Sequence, residues 1–214
     1  MKYISQLHYI TQEVESFTHT QLAEFACRGG TDWVQLRVKG KSFAEWLNIA
    51  EETKIICNKY GAKLIINDNI FVAKEISADG VHLGKEDMSP KEARKFLGDN
   101  FIIGGTANSL EDVKTQMKNR VNYIGLGPYR FTITKEKINH ILGLEGIKKI
   151  IQKVISFEKY LGYACPLVAI GGIRIEDVKP LFEAGVQGVA VSSGINLADD
   201  KVGATRMFIN AIKK

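Results

Sequence analysis

Asp79-Gly80-Val81-His82-Leu83-Gly84 and Gln187-Gly188-Val189-Ala190-Val191-Ser192 share a faint pattern: a polar residue, a glycine, then a short apolar run closed by a small residue. Such near-continuous apolar runs fit strands covered on both faces. Outward from these two, similar runs occur at residues 7–11, 33–39, 63–68, 101–106, 123–128 and 166–172, making eight with 80–84 and 188–194. Amphipathic stretches fill the gaps. Phe43–Tyr60 is a long one, with Phe43, Trp46, Leu47, Ala50 and Thr53 at helical spacing. Ser89 ahead of Pro90 reads as an N-cap with proline at the first helical position, leading into 91–97. Ser109 opens Leu110–Lys118 in the same way. Eight strands alternating with helices in 214 residues predict an α/β fold, a (β/α)8 TIM barrel. Repetition of one βα unit is expected of such a barrel. The alternative is an open doubly wound sheet, against which no G-x-G-x-x-G follows the first run. Residues 1–214 contain no linker or low-complexity segment and read as one domain. The sixth crossover, residues 129–165, is far longer than the others and must carry an extra loop ahead of its helix.

Composition narrows the function classes. With 45% hydrophobic and 25% charged residues, the chain is ordinary globular material with enough apolar mass for a large core. The longest stretch without a charged side chain, residues 160–173, is too short to span a bilayer, and the N-terminus lacks an apolar signal core. A cytoplasmic protein with no membrane partner is the expectation. Cys27, Cys57 and Cys165 are odd in number and widely spaced, which indicates packing rather than a disulfide framework or a zinc site. The net charge of +5 hints at anionic partners. The cations are scattered, without a basic stripe or interleaved aromatics, so a small phosphorylated ligand fits better than nucleic acid.

In a barrel, chemistry sits at the C-terminal strand ends and the loops beyond them. In the second run Gln35, Arg37 and Lys39 share one face, and Val34, Leu36 and Val38 the other. The apolar set belongs under the helices, so the polar set is expected to point inward, toward an internal ion-pair network or a dianionic ligand. The third run ends in Asn67-Asp68-Asn69, and Lys85-Glu86-Asp87 follows the fourth. Asp68 and Asp87 come from neighbouring strand ends, and two carboxylates with waters and phosphate oxygens are how magnesium is usually held. Alternatively, Asp68 caps a helix over residues 70–76. The fifth run ends with Thr106, and the sixth loop brings Thr132, Thr134 and Lys135 together. Gly171-Gly172 and Ser192-Ser193-Gly194 close the last two runs, where small residues let backbone N–H groups approach a phosphate. Tight turning is the simpler explanation of the same glycines. His82 lies inside the fourth run, where a structural histidine and a site donor look alike.

QLRVK (35–39), IINDN (65–69), ADGVHLGKEDM (78–88), YIGLGPYRFTITK (123–135), VAIGGI (168–173) and GVAVSSGI (188–195) together resemble the thiamine phosphate synthase family, over nearly the whole chain. The resemblance implies a magnesium-dependent transferase that couples a hydroxymethylpyrimidine diphosphate to a hydroxyethylthiazole phosphate, or to its carboxylated form, and releases pyrophosphate. It implies that Gln35, Arg37, Lys39 and Asn67 bind the pyrimidine diphosphate, Asp68 and Asp87 the magnesium, and Thr106 the pyrimidine. It further assigns Thr132, Thr134 and Lys135 to the sixth loop, with Lys135 on the diphosphate, and Gly172, Ser192 and Ser193 to the thiazole phosphate. Arg37, Lys39 and Lys135 are then the cations that stabilise the leaving group.

Two positions depart from the family pattern. Thr106 stands where it usually has serine, and Ile133 where the loop usually has proline. Two other functions remain open. The sister thiazole tautomerases resemble the chain but typically carry a histidine where Pro128 stands. A non-catalytic regulatory barrel would be expected to have lost Asp68, Asp87 or Lys135, and all are present.

Overall fold

A computed structural model describes residues 2–131 and 141–213. The chain alternates strand and helix from one end to the other. It begins with β1 (Leu7–Ile10), α1 (His19–Arg28), β2 (Trp33–Leu36), α2 (Phe43–Tyr60), β3 (Lys63–Asn67) and α3 (Ile70–Glu75). It continues with β4 (Gly80–Leu83), α4 (Pro90–Leu97), β5 (Ile102–Ala107), α5 (Leu110–Lys118), β6 (Tyr123–Leu126) and α6 (Gly143–Leu161). It finishes with β7 (Leu167–Ile170), α7 (Ile175–Glu183), β8 (Gly188–Val191), α8 (Ser193–Asn196) and α9 (Lys201–Lys213). The eight strands are parallel and close in sequence order, β8 pairing back to β1 through Leu7↔Val189 and His8↔Ala190. The expected (β/α)8 barrel is therefore the fold. Among the described residues, no helix is long and apolar enough to cross a membrane.

The helices begin where short polar side chains supply acceptors to otherwise unpaired N–H groups. Thr18 with Gln21, and Ser42 with Glu45, form reciprocal capping boxes. Ser89 and Ser109 cap α4 and α5 as expected, with Pro90 in the first turn of α4. Asp68 does not cap α3. Asn69 does, its Oδ1 accepting from the N–H groups of Phe71 and Val72 at 3.0 Å each, and the Asp68 carboxylate stays available. The apolar face of α2 is narrower than its sequence suggests: Ala50, Thr53 and Cys57 are buried, while Phe43 is 52% exposed. All three cysteines are buried and unbridged.

Apart from β5, each run read from the sequence outlasts its hydrogen-bonded strand at the C-terminal end. The second is the clearest case: β2 stops at Leu36, so Arg37 and Lys39 belong to the following loop rather than to an inward-facing strand face. The cause is local. The backbone N–H of Arg37 donates to the Thr11 hydroxyl (3.0 Å) instead of continuing the ladder.

Two apolar cores result. The larger lies between strands and helices and holds Leu36, Leu64, Val81, Ile124 and Val189. The smaller fills the barrel interior with Ile10, Trp33, Ile65, Ile102, Tyr123, Val168 and Ala190. Inside the barrel, large rings need small neighbours. Gly104 is in register with Tyr123, and a Cβ there would stand 2.6 Å from the tyrosine oxygen. A Cβ on Gly125 would stand 3.1 Å from Cε1 of His82.

Candidate active site

Above the interior core, the inward positions turn polar. Gln35 near the end of β2 is buried and donates through Nε2 to Oδ1 of Asn67 at the end of β3 (2.8 Å). Asn67 is in register with His82 of β4. The His82 ring bridges two hydroxyls, with Nδ1 3.0 Å from Tyr123 Oη and Nε2 3.1 Å from Thr106 Oγ1. Thr106, on β5, is buried, and its carbonyl accepts from Gln116 Nε2 at 3.2 Å. Four strand ends thus contribute a continuous polar layer in which the side chains of Gln35, Asn67, His82 and Thr106 are each hydrogen-bonded, as burial requires, while Oε1 of Gln116 behind it is left unpaired.

One step further out, charges gather. Asp68 has a left-handed backbone (φ 66°), which turns its carboxylate toward the mouth, and Lys39 Nζ lies 2.7 Å from its Oδ2. Asp87 receives the Gly84 N–H at 2.6 Å and stands against Asp68. Burial raises the Asp87 carboxyl above the ordinary range, the Gly84 N–H opposes this, and the neighbouring Asp68 carboxylate raises it further. Lys85, in the same loop, is turned away and paired with Asp112 (2.5 Å). Two carboxylates crowded together are unfavourable unless a cation or a proton intervenes, and this donor set fits a divalent cation. Among the described residues, no group of three or more His, Cys, Asp or Glu side chains could hold a metal by itself. Any cation here would need oxygens from a ligand or from water.

The opposite side of the mouth is built by β6, β7 and β8. Gly171 (φ 101°) and Gly172 (φ 66°) bring the β7–α7 turn directly against the loop after β6. A Cβ on Gly172 would press on Arg130 Cβ and Phe131 O at 3.0 Å. Arg130 locks this approach, donating to Gly172 O (2.8 Å) and to both carboxylate oxygens of Asp177 (2.7 and 2.9 Å). Burial alone would push the Asp177 carboxyl up, but the Arg130 guanidinium and the Arg174 N–H hold it below the ordinary range.

Ser192 follows β8 and donates to Gln12 Oε1 at 2.9 Å, while Asn196 Nδ2 donates to its Oγ at 3.2 Å. Ser193 opens the short α8 rather than ending a strand.

Gln35, Asn67 and Thr106 are thus in one buried layer, and Lys39, Asp68 and Asp87 in one charged cluster above it. Arg37 is half-buried in the loop after β2, and Lys39 is 52% exposed, not internal. Gly172, Ser192 and Ser193 stand on the far rim. Thr132, Ile133, Thr134 and Lys135 lie outside the described residues. Sequence reasoning left His82 open between a structural and a site role, and it missed the roles of Tyr123, Gln12, Arg130 and Asp177. The glycines at 104 and 125 were the available signal for His82 and Tyr123, since each leaves room for a ring on the neighbouring strand.

Fold and mouth define a class: a closed parallel barrel with paired carboxylates and a lysine at the C-terminal ends of adjacent strands. The family model described as thiamine monophosphate synthase matches residues 7–195. A thiamine-phosphate synthase of Flavobacterium johnsoniae is 47% identical over 94% of this chain and 90% of its own length. One from Bacteroides fragilis is 43% identical over 95% of this chain and 98% of its own. Among solved structures, thiamine phosphate pyrophosphorylase from Pyrococcus furiosus superposes with a TM-score of 0.83 at 29% identity, covering 97% of this chain and 95% of its own. The chain belongs to the thiamine monophosphate synthase family.

Proposed function

We propose that the chain is a transferase that joins a hydroxymethylpyrimidine diphosphate to a hydroxyethylthiazole phosphate, forming thiamine phosphate and releasing pyrophosphate. Lys39 together with the Asp68–Asp87 pair, directly above the Gln35–Asn67 layer, supports this reading most strongly. Opposite charges arranged in this way suit a diphosphate bound with a divalent cation. Asp68 and Asp87 would hold magnesium, which supplies charge neutralisation to the diphosphate when bound.

The chain's own groups do the rest. Gln35 and Asn67 orient the pyrimidine end, and Thr106 meets the ring. Arg37 and Lys39 face the diphosphate, and the family pattern assigns Lys135 to the same group. As the carbon–oxygen bond breaks, the electron pair leaves with pyrophosphate, and these cations stabilise the charge that grows there. The electron-rich pyrimidine carries the positive charge left on carbon, and the thiazole nitrogen lone pair closes the new carbon–nitrogen bond. No side-chain nucleophile is needed. Gly172, Ser192 and Ser193 anchor the thiazole phosphate on the opposite rim, so that its nitrogen faces the reacting carbon. The test is a coupling assay with both heterocyclic phosphates, with and without magnesium, following pyrophosphate and thiamine phosphate together. Metal-dependent formation of both products in equal amounts is expected. Binding of a thiazole phosphate without turnover would overturn the reading.

A further inference from the structure

We propose that His82, held by Tyr123, is a positioning residue that fixes the Thr106 hydroxyl as a hydrogen-bond donor toward the mouth, so that the site selects a heteroaromatic nitrogen acceptor. This rests on the reading that Thr106 meets the pyrimidine. Donor and acceptor counting carries the argument. Tyr123 is 1% exposed, and burial pushes its phenol well above the ordinary range, so it keeps its proton and must place it. The acceptor at hand is His82 Nδ1, 3.0 Å away. With Nδ1 accepting, the proton of a neutral imidazole sits on Nε2 and is donated to Thr106 Oγ1, 3.1 Å away. Thr106 then has its own proton left for a ligand.

The reverse tautomer would bury the phenol proton with no described acceptor, the costlier arrangement. The barrel also makes room for this relay. The Tyr123 and His82 rings stack with centroids 5.4 Å apart, and glycines at 104 and 125 leave the space the two rings fill. His82 acts through Thr106 and touches no reacting atom.

Long-range proton–nitrogen NMR on wild-type protein labelled with ¹⁵N-histidine should show His82 protonated at Nε2, and Tyr123→Phe should lose that preference. Calorimetry with the pyrimidine diphosphate alone should show weaker binding by His82→Leu, by roughly tenfold to a hundredfold. The KM for the thiazole phosphate should stay as in the wild type. His82→Gln, which keeps an N–H near Thr106, should recover most of the loss. The wild type should also reject analogues in which one ring nitrogen is replaced by C–H, and His82→Leu should lose that discrimination. A wild-type His82 protonated at Nδ1 or at both nitrogens would overturn the relay, even if the variants fail to fold. So would unchanged pyrimidine binding by a folded His82→Leu. A wild type with Nε2 protonated that makes no thiamine phosphate would instead overturn the proposed function.

Discussion

Replacing His8 by leucine should flatten the acid side of the stability profile. His8 lies inside the barrel, its Nε2 3.0 Å from Ser5 O, its ring stacked on Trp33 at 4.3 Å and meeting Tyr123 edge-on at 4.8 Å. Burial, and secondarily the facing His82, bring its pKa down to about 3. The unfolded chain binds a proton there with a pKa near 6.5. Between these values the unfolded state holds more protons at this site than the folded one, so stability falls as the pH falls. The contribution is complete above pH 6.5 and is lost progressively on acidification toward pH 3. Linkage gives a loss of about 2 kcal/mol from this one group between pH 6.5 and 4.5. In urea, that is a midpoint shift of about 1 M beyond the shift in the variant. Carboxylates with lowered pKa values, Asp112 and Asp177 among them, also weaken the fold in acid, but they do so in both proteins and cancel in the difference. Urea unfolding of wild type and His8→Leu at both pH values is the assay. Parallel profiles would refute the claim that the interior excludes the protonated imidazole.

Other perturbations test separate parts of the structure. Gly104→Ala drives a methyl group into the Tyr123 ring and should cost about 3 kcal/mol by overpacking. Chemical denaturation within 0.5 kcal/mol of wild type, roughly the scatter of a neutral substitution, would contradict the packing. Asp177→Asn leaves the Arg130 guanidinium without its counter-charge. Because Arg130 is itself 37% exposed, the expected cost is about 2 kcal/mol, below that of a wholly buried pair, and a wild-type melting profile would count against the latch. Asp87→Ala should raise the magnesium concentration for half-maximal turnover by roughly tenfold or more, and an unchanged metal titration would remove Asp87 from the ligand set. On the proposed reading, in which Lys135 stabilises the departing pyrophosphate, Lys135→Ala should lower kcat far more than it raises KM. A pure KM effect would assign Lys135 to ground-state binding.

The barrel was legible because its strands are buried on both faces, which writes each as an uninterrupted apolar run. Their ends were not legible. Gln35, Arg37 and Lys39 keep an alternating period past the point where the ladder stops, and the Thr11 hydroxyl capturing the Arg37 N–H marks the exit. Asp68 and Asn69 are both competent caps in sequence. The left-handed backbone at Asp68 gives the cap to Asn69 and frees the aspartate. The Arg130–Asp177 pair joins the loop after β6 to the first turn of α7, far apart in the chain, and neither residue stands in a pattern that names the other. Gly104 and Gly125 stand within their runs with no reason visible there, because that reason lies on neighbouring strands, in the rings of Tyr123 and His82. Register carries that information, and a single strand does not display it.

Polarity changes in steps along the barrel axis, and each step constrains the next. Trp33, Tyr123 and Ile65 form a floor into which a charged His8 cannot be admitted. On that floor the Gln35–Asn67 pair and the His82–Thr106 contact are largely shielded from water, so their hydrogen bonds are directional rather than exchangeable with solvent. Only above this layer do Lys39, Asp68 and Asp87 appear, with Asp68 and Lys39 partly open to water. A neutral ring can therefore be read by fixed donors and acceptors in the buried layer while its charged substituent stays among ions at the rim. Inverting the order would place diphosphate charge in the apolar floor, at a desolvation cost that a single lysine could not offset. The vertical order of the layers, more than any one residue, makes the mouth suited to a flat heterocycle carrying a polyanionic leaving group.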